Sequence, residues 1–99
     1  MYTLKETFGC MGIKVNSQKE VCALYEYAKK NNINTIYNFD DLLKNFSEGY
    51  AVWSSSKYPP QFSAYTIKEF KLGNVPLINI YNVLEFKNLS KNCKFMTRN

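Results

Sequence analysis

The side chains that could perform catalysis in this sequence are few and lack the partners that catalysis requires. The 99-residue chain contains no histidine, so the usual general base and the commonest metal ligand are both missing. The serine run at 54–56 has no neighbouring base that could activate a nucleophile. Asp40 and Asp41 could act as acid and base, but the helix dipole better explains two acids in a first helical turn. We therefore expect a protein that is not an enzyme.

The three cysteines indicate neither a disulfide framework nor a zinc site. Cys10, Cys22 and Cys93 are odd in number and widely separated, whereas structural zinc sites take about four ligands from closely spaced pairs. Glycine-rich phosphate loops and paired metal carboxylates are also missing from the sequence. We expect reduced thiols, no metal ion and no cofactor.

The most informative pattern is a mixture of aromatic residues and lysines in the second half of the chain. Such a mixture can anchor a protein interface, because aromatic side chains carry much of the binding energy there. It can equally stack bases and neutralise phosphates, as nucleotide and single-strand binders do. The candidate binding residues are Trp53, Lys57, Tyr58, Phe62, Tyr65, Lys68, Lys71 and Tyr81. The competing interpretation is that the aromatic residues fill the core.

The net charge of +5 comes from the second half of the chain. Lysines and acidic residues balance in residues 1–49, whereas residues 50–99 hold seven cations against two acids. We therefore expect an electrostatic partner to meet the second half. Near the C-terminus, basic residues recur at helical spacing and could face an acidic partner, although a solvated tail explains them too. These residues are Lys87, Lys91, Lys94 and Arg98.

Length and composition indicate one domain. A chain of 99 residues, 45% hydrophobic and 16% aromatic, can build one core but would build two only marginally. No repeat or linker divides residues 1–99, and the tail from about residue 88 is expected to fray. No stretch reaches the roughly 20 apolar residues of a membrane helix, and the opening residues lack the pattern of a secretory leader. We expect a cytoplasmic protein with no membrane partner.

Two helices are predicted in the first half. Ser17 and Glu20 match a capping box, and apolar residues at helical spacing follow as far as about Lys30. Asn38 could cap a second, shorter helix whose apolar stripe ends before Gly49. Residues 2–8, 13–15 and 35–37 have the character of strands.

Three strands are predicted in the second half, over residues 50–54, 61–68 and 75–81. The short connections between them favour an antiparallel meander, with Pro76 at a strand start or on an edge. Asn82 could cap a short final helix. We therefore predict an α+β fold in which two helices pack on a small antiparallel sheet of three to five strands.

Both faces of the predicted sheet carry apolar residues. On the last strand, Leu77 and Tyr81 point away from Ile78. One face should pack on the helices, and the other needs a cover: the C-terminal segment, a second subunit or a target. A twofold homodimer that buries Phe62, Leu77 and Tyr81 is one economical solution.

The segment IKVNSQKE at residues 13–20, continuing through the helix to Ile33, resembles the opening of many small, mostly uncharacterised bacteriophage proteins. Those proteins continue into a short β-sheet and close near a segment similar to residues 80–86, although the helix predicted at residues 39–46 departs from their pattern. The resemblance implies an accessory protein for host takeover or counter-defence in the host cytoplasm. It assigns a role to no residue.

Two functions follow as expectations. The first is a phage-type inhibitor that binds a host or defence protein directly, without catalysis. The alternative is a protein that binds a nucleotide or a single-stranded nucleic acid, including one that sequesters a signalling nucleotide.

Overall fold

A five-stranded mixed sheet forms the centre of the fold in a computed structural model, which describes residues 1–87. The strands are β1 (Gly12–Lys14), β2 (Asn34–Thr35), β3 (Tyr50–Ser54), β4 (Gln61–Thr66) and β5 (Leu77–Asn79). They lie side by side in the order β2-β4-β3-β1-β5. β3 pairs antiparallel with β4 and β1, whereas the β2–β4 and β1–β5 pairs are parallel. The predicted α+β class is confirmed, but the prediction of an antiparallel sheet is wrong.

Four α-helices occur within residues 1–87, two more than predicted. They are α1 (Leu4–Thr7), α2 (Gln18–Lys30), α3 (Phe39–Lys44) and α4 (Ile67–Leu72). Two 3-10 turns, Ile80–Asn82 and Leu84–Phe86, stand where the sequence predicted the start of a final helix. The rest of that helix and most of the basic tail lie outside the described residues.

The unpredicted helices α1 and α4 both begin with a reciprocal capping box. Thr3 accepts a hydrogen bond from the Glu6 amide at 3.2 Å, and the Glu6 carboxylate accepts one from the Thr3 amide at 2.7 Å. Thr66 and Glu69 repeat the arrangement at 3.1 and 2.8 Å. In a strand these backbone amides would bond to an adjacent strand, whereas here the capping side chains accept their hydrogen bonds. The strand predictions for residues 2–8 and 67–68 are therefore wrong.

Helices α2 and α3 confirm the helical patterns but not the details of their caps. Ser17 accepts from the Glu20 amide at 3.4 Å, yet the buried Glu20 carboxylate accepts from the Asn16 amide at 2.6 Å. Glu20 thus reaches one residue further back than in a capping box. Asn38 occupies the N-cap position of α3 in a left-handed conformation, without a side-chain capping bond. The backbone turn alone starts that helix.

The connection from β4 to β5 explains why the predicted meander is wrong. α4 intervenes, and β5 then lies beside β1 at one edge of the sheet, parallel to it. Pro76 directly precedes β5 and accepts a hydrogen bond from the Gly12 amide at 2.9 Å through its carbonyl oxygen. The prediction that Pro76 lies at a strand start or on an edge is confirmed, because it directly precedes the edge strand β5.

The inner face of the sheet packs with α2 and α3 into the main core. Its strand residues include Ile13, Val52 and Ala64, which oppose one another across three strands and are all fully buried. Phe62 lies on the same face and stacks on Phe39 of α3 at a ring distance of 6.0 Å. Because side chains alternate along a strand, the residues next to these point to the opposite side of the sheet, which we call the outer face.

The outer face is partly covered by α4. Phe70 of that helix is 5% exposed and lies with Leu77 directly over Gly12, where a side chain would otherwise stand. The expected need for an outside cover is therefore met, in part, by a helix of the same chain.

Candidate functional site

The eight predicted binding residues do not form one site. Trp53 and Tyr65 lie on the outer face of the sheet, close to α4, which carries the exposed Lys68 and Lys71. The other four lie elsewhere: Lys57 and Tyr58 in the β3–β4 loop, Phe62 in the core, and Tyr81 on a 3-10 turn. The predicted residues thus fall on two separate surfaces, and Phe62 and Tyr81 belong to neither.

Phe62 is the clearest correction. Its side chain is fully buried and stacked on Phe39, so no ligand can reach it in the folded protein. The prediction that Phe62 contacts a partner is wrong because its strand turns that side chain toward α3. Tyr81 is 40% exposed, but it lines neither of the two cavities described below.

The first surface, the outer-face patch, consists of Trp53, Tyr65, Glu69, Phe70 and Val75 around a shallow hollow of about 340 Å³. Phe70 is its centre, with ring distances of 6.3 Å to Trp53 and 6.1 Å to Tyr65. Trp53 and Tyr65 remain half-buried, so part of each ring faces solvent. The patch therefore presents partly exposed aromatic rings that contact one another through Phe70.

The charge beside the outer-face patch is mainly positive. Lys68 and Lys71 are exposed on α4, on either side of Glu69 and Phe70. The Glu69 carboxylate accepts hydrogen bonds from the Thr66 amide and hydroxyl, and these bonds lower its pKa. Glu69 thus stays ionised as part of the helix cap, and the two lysines are exposed on the same helix.

The second surface is a cleft of about 510 Å³ between α1, the end of α2 and the loop of residues 55–60. We call it the loop cleft. Its apolar wall includes Leu4, Phe8, Tyr27 and Ile33, and Lys5 and Lys57 contribute cations. Tyr58 also lines it and is 96% exposed. Of these residues, the sequence indicated only Lys57 and Tyr58.

Hydrogen bonds hold one side of the loop cleft in place. Glu85 accepts a bond from the Leu4 amide at 2.8 Å, which ties the 3-10 turn to the start of α1. Burial and, to a lesser extent, the Glu85 charge raise the pKa of Tyr27, so this phenol is neutral well above neutral pH. Asn31 donates from Nδ2 to the Tyr27 carbonyl at 2.9 Å. The cleft therefore has fixed polar groups beside its rings.

The rest of the loop cleft could not be predicted because its residues come from four separate parts of the chain. Lys5 is one of six lysines in the balanced first half, Tyr27 lies within α2, and Asn31 is the C-cap residue of that helix. The one signal that pointed there was the pairing of Lys57 with Tyr58 next to two prolines. Loops that combine exposed charge and aromatic groups are common binding elements.

Two features were sought in residues 1–87: a metal-binding cluster and a helix that could span a membrane. Within residues 1–87, no group of three or more histidine, cysteine, aspartate or glutamate residues could hold a metal ion. None of the helices in this range is long and apolar enough to cross a membrane.

Comparison with known proteins identifies no relative. No protein-family model, no curated protein and no solved structure matches the chain. A functional assignment therefore depends on the chemistry of the outer-face patch and the loop cleft.

Proposed function

We propose that this chain is a non-enzymatic binding protein that inhibits a host or defence protein by docking on it. The observation that supports this function is the outer-face patch, where half-exposed Trp53 and Tyr65 are held by Phe70 around a hollow. Aromatic rings fixed in this way lose little side-chain entropy on binding and are frequent hot spots of protein interfaces. The resemblance to phage accessory proteins supplies the class of partner.

The lysines of α4 favour a partner with an acidic surface. Lys68 and Lys71 are exposed on α4, the helix that carries Phe70 of the patch, and the whole chain carries a net charge of +5. Charges at the rim of an interface raise the association rate and select the orientation of the partner, and salt screens both effects. Binding through this patch should therefore weaken as the salt concentration rises.

Affinity capture from the lysate of a bacterial host tests this proposal. The wild-type chain should retain one protein in near-stoichiometric amount, and the double variant Lys68→Glu/Lys71→Glu should retain much less of it. Lys19→Glu/Lys44→Glu is the matched control, because it makes the same charge change at exposed positions of α2 and α3. Equal losses in both double variants, or no retained protein, would contradict docking by the outer-face patch.

Nucleotide or single-strand binding is the second candidate function, and the loop cleft favours it. Lys5 and Lys57 line a cavity that also contains the rings of Tyr27 and Tyr58. Rings can stack on bases and lysines can neutralise phosphates. Mass spectrometry of the purified protein after denaturation checks this function by detecting any nucleotide that co-purifies.

A further inference from the structure

The loop cleft has the size and lining of a small-molecule site. Its volume of about 510 Å³ lies within the usual range of roughly 300–1,000 Å³ for such sites. Leu4 and Ile33 are buried and give it an apolar floor, and the rings of Phe8 and Tyr27 stand beside them. A flat aromatic group would replace water along this wall and bury apolar area on both partners.

We infer that the loop cleft binds a single mononucleotide, with its base against the ring-lined wall and its phosphate near Lys5 and Lys57. This inference rests on the second candidate function, nucleotide binding. It narrows the ligand from any nucleotide or strand to one nucleotide that carries one phosphate. Three observations support a mononucleotide: the charge of the cleft, its hydrogen-bond acceptors, and the contacts that already occupy the rings of the outer-face patch.

The charge of the loop cleft matches one phosphate better than several. Lys5 and Lys57 contribute two positive charges and Glu85 contributes one negative charge to the lining. Glu85 is held in place by its bond to the Leu4 amide, so it cannot move away from the ligand without breaking that bond. A polyphosphate would bring more negative charge than the two lysines can neutralise, and Glu85 would repel it.

The polar groups of the cleft suit a base with an exocyclic amine. The Asn31 side chain is oriented by the bond from Nδ2 to the Tyr27 carbonyl, so its Oδ1 is the atom that can accept. Glu85 supplies carboxylate oxygens at the same cleft. Acceptors at the edge of an apolar wall recognise an amino group such as the one that adenine carries. Adenosine monophosphate is therefore the appropriate probe.

The outer-face patch is a poor alternative for a nucleic-acid strand. Strand binders stack successive bases on open aromatic faces. Tyr65 instead lies between Tyr37, at 5.1 Å, and Phe70, at 6.1 Å, and Trp53 is in contact with Phe70. These rings are already engaged by protein rings, whereas Tyr58 at the loop cleft is 96% exposed.

Calorimetric titration of the full chain with adenosine monophosphate at low salt tests the inference. We expect saturable one-to-one binding, with adenosine and inorganic phosphate each binding much more weakly because each provides only half of the contacts. Lys57→Gln should weaken binding about tenfold, since it removes one charge-assisted phosphate contact. Lys19→Gln makes the same charge change at an exposed position near the start of α2, outside the cleft lining, and should leave the affinity within about twofold of wild type.

Each contrary outcome has a distinct meaning. Equal effects of Lys57→Gln and Lys19→Gln would show general electrostatic attraction and overturn the assignment to the cleft. Saturable binding of deca-thymidylate without binding of adenosine monophosphate would sink the mononucleotide inference but leave the second candidate function intact. If neither ligand binds, the mononucleotide inference is rejected, and protein docking through the outer-face patch is unaffected because it uses other residues.

Discussion

At the scale of single residues, Gly12 is a position on the outer face that has no room for a side chain. A Cβ placed there would lie 2.6 Å from the Phe70 ring and 2.8 Å from Leu77 Cδ2. Since Phe70 is 5% exposed, it has little room to move. We predict that Gly12→Ala lowers the free energy of unfolding by about 1–3 kcal/mol, the usual cost of overpacking.

Gly73→Ala is the control for this prediction. Gly73 has an ordinary negative φ of −87°, and the nearest atoms to its added Cβ stand at 3.6 Å, which is normal contact. That variant should be neutral or slightly stabilising. Urea denaturation of both variants measures the difference, and equal stabilities would show that Phe70 does not close over Gly12.

Tyr27 gives a residue-scale prediction about alkaline pH. Burial, followed by the Glu85 charge, raises the pKa of this phenol, so the folded chain holds the proton more tightly than the unfolded chain does. The stabilising contribution is therefore complete below about pH 10 and is lost as the pH rises through the raised pKa. Tyr27→Phe has no proton to lose, so its stability should fall less than that of wild type over this range.

Denaturation at a series of pH values between neutrality and the alkaline limit checks the Tyr27 prediction. Tyr58→Phe serves as the comparison, because its ring is 96% exposed and the change should leave the wild-type pH curve in place. Parallel curves for Tyr27→Phe and wild type would mean that the phenol is not desolvated in the cleft wall.

At the scale of elements, α4 both covers part of the outer face and sets the connection between two strands. It carries Phe70 onto the outer face and separates β4 from β5. Its capping box depends on the Thr66 hydroxyl, which accepts from the Glu69 amide at 3.1 Å. We predict that Thr66→Ala costs about 1 kcal/mol, whereas Thr66→Ser, which keeps the hydroxyl, costs much less. Thermal unfolding of the two variants measures the difference; identical melting temperatures would argue against the cap.

Elements with a strong local signal were predictable from the sequence. The helical spacing after Ser17 gave α2 correctly, and β3 occupies the predicted residues 50–54. The capping pairs of α1 and α4 were also readable, since a threonine precedes a glutamate by three residues in both. At α4 the capping pair competes with the strand-like alternation of Tyr65 and Ile67, so the sequence pattern there predicts a strand where a helix forms.

Strand pairing could not be predicted, because it depends on contacts between distant residues. Nothing in residues 75–81 indicates that β5 will pair with β1 in parallel instead of with β4. The same limit applies to the loop cleft, whose lining joins residues as far apart as Leu4 and Glu85. Residue types could suggest rings and lysines for binding, but only the fold decides which of them meet.

At the scale of the whole molecule, the two candidate surfaces are built from different elements and can be tested separately. The outer-face patch depends on β3, β4 and α4, whereas the loop cleft depends on α1, α2 and the β3–β4 loop. Because the two sets share no lining residue, substitutions in one should leave binding at the other nearly unchanged. A variant that impairs both functions equally has therefore lost stability and not a binding contact.

The arrangement of the outer face favours a monomer over the homodimer that the sequence suggested. The expectation of a homodimer assumed that Phe62, Leu77 and Tyr81 share an uncovered face. Phe62 is in the core, Leu77 lies beside Phe70 over Gly12, and Tyr81 stands on a 3-10 turn. These three side chains therefore do not form one exposed patch that a second copy of the chain could bury. We therefore predict a monomer, with a light-scattering mass near 11.6 kDa even at high micromolar concentration. A mass that rises toward twice this value with concentration, and that returns to the monomer value in Lys68→Glu/Lys71→Glu, would instead make the outer-face patch a contact between two copies of this chain.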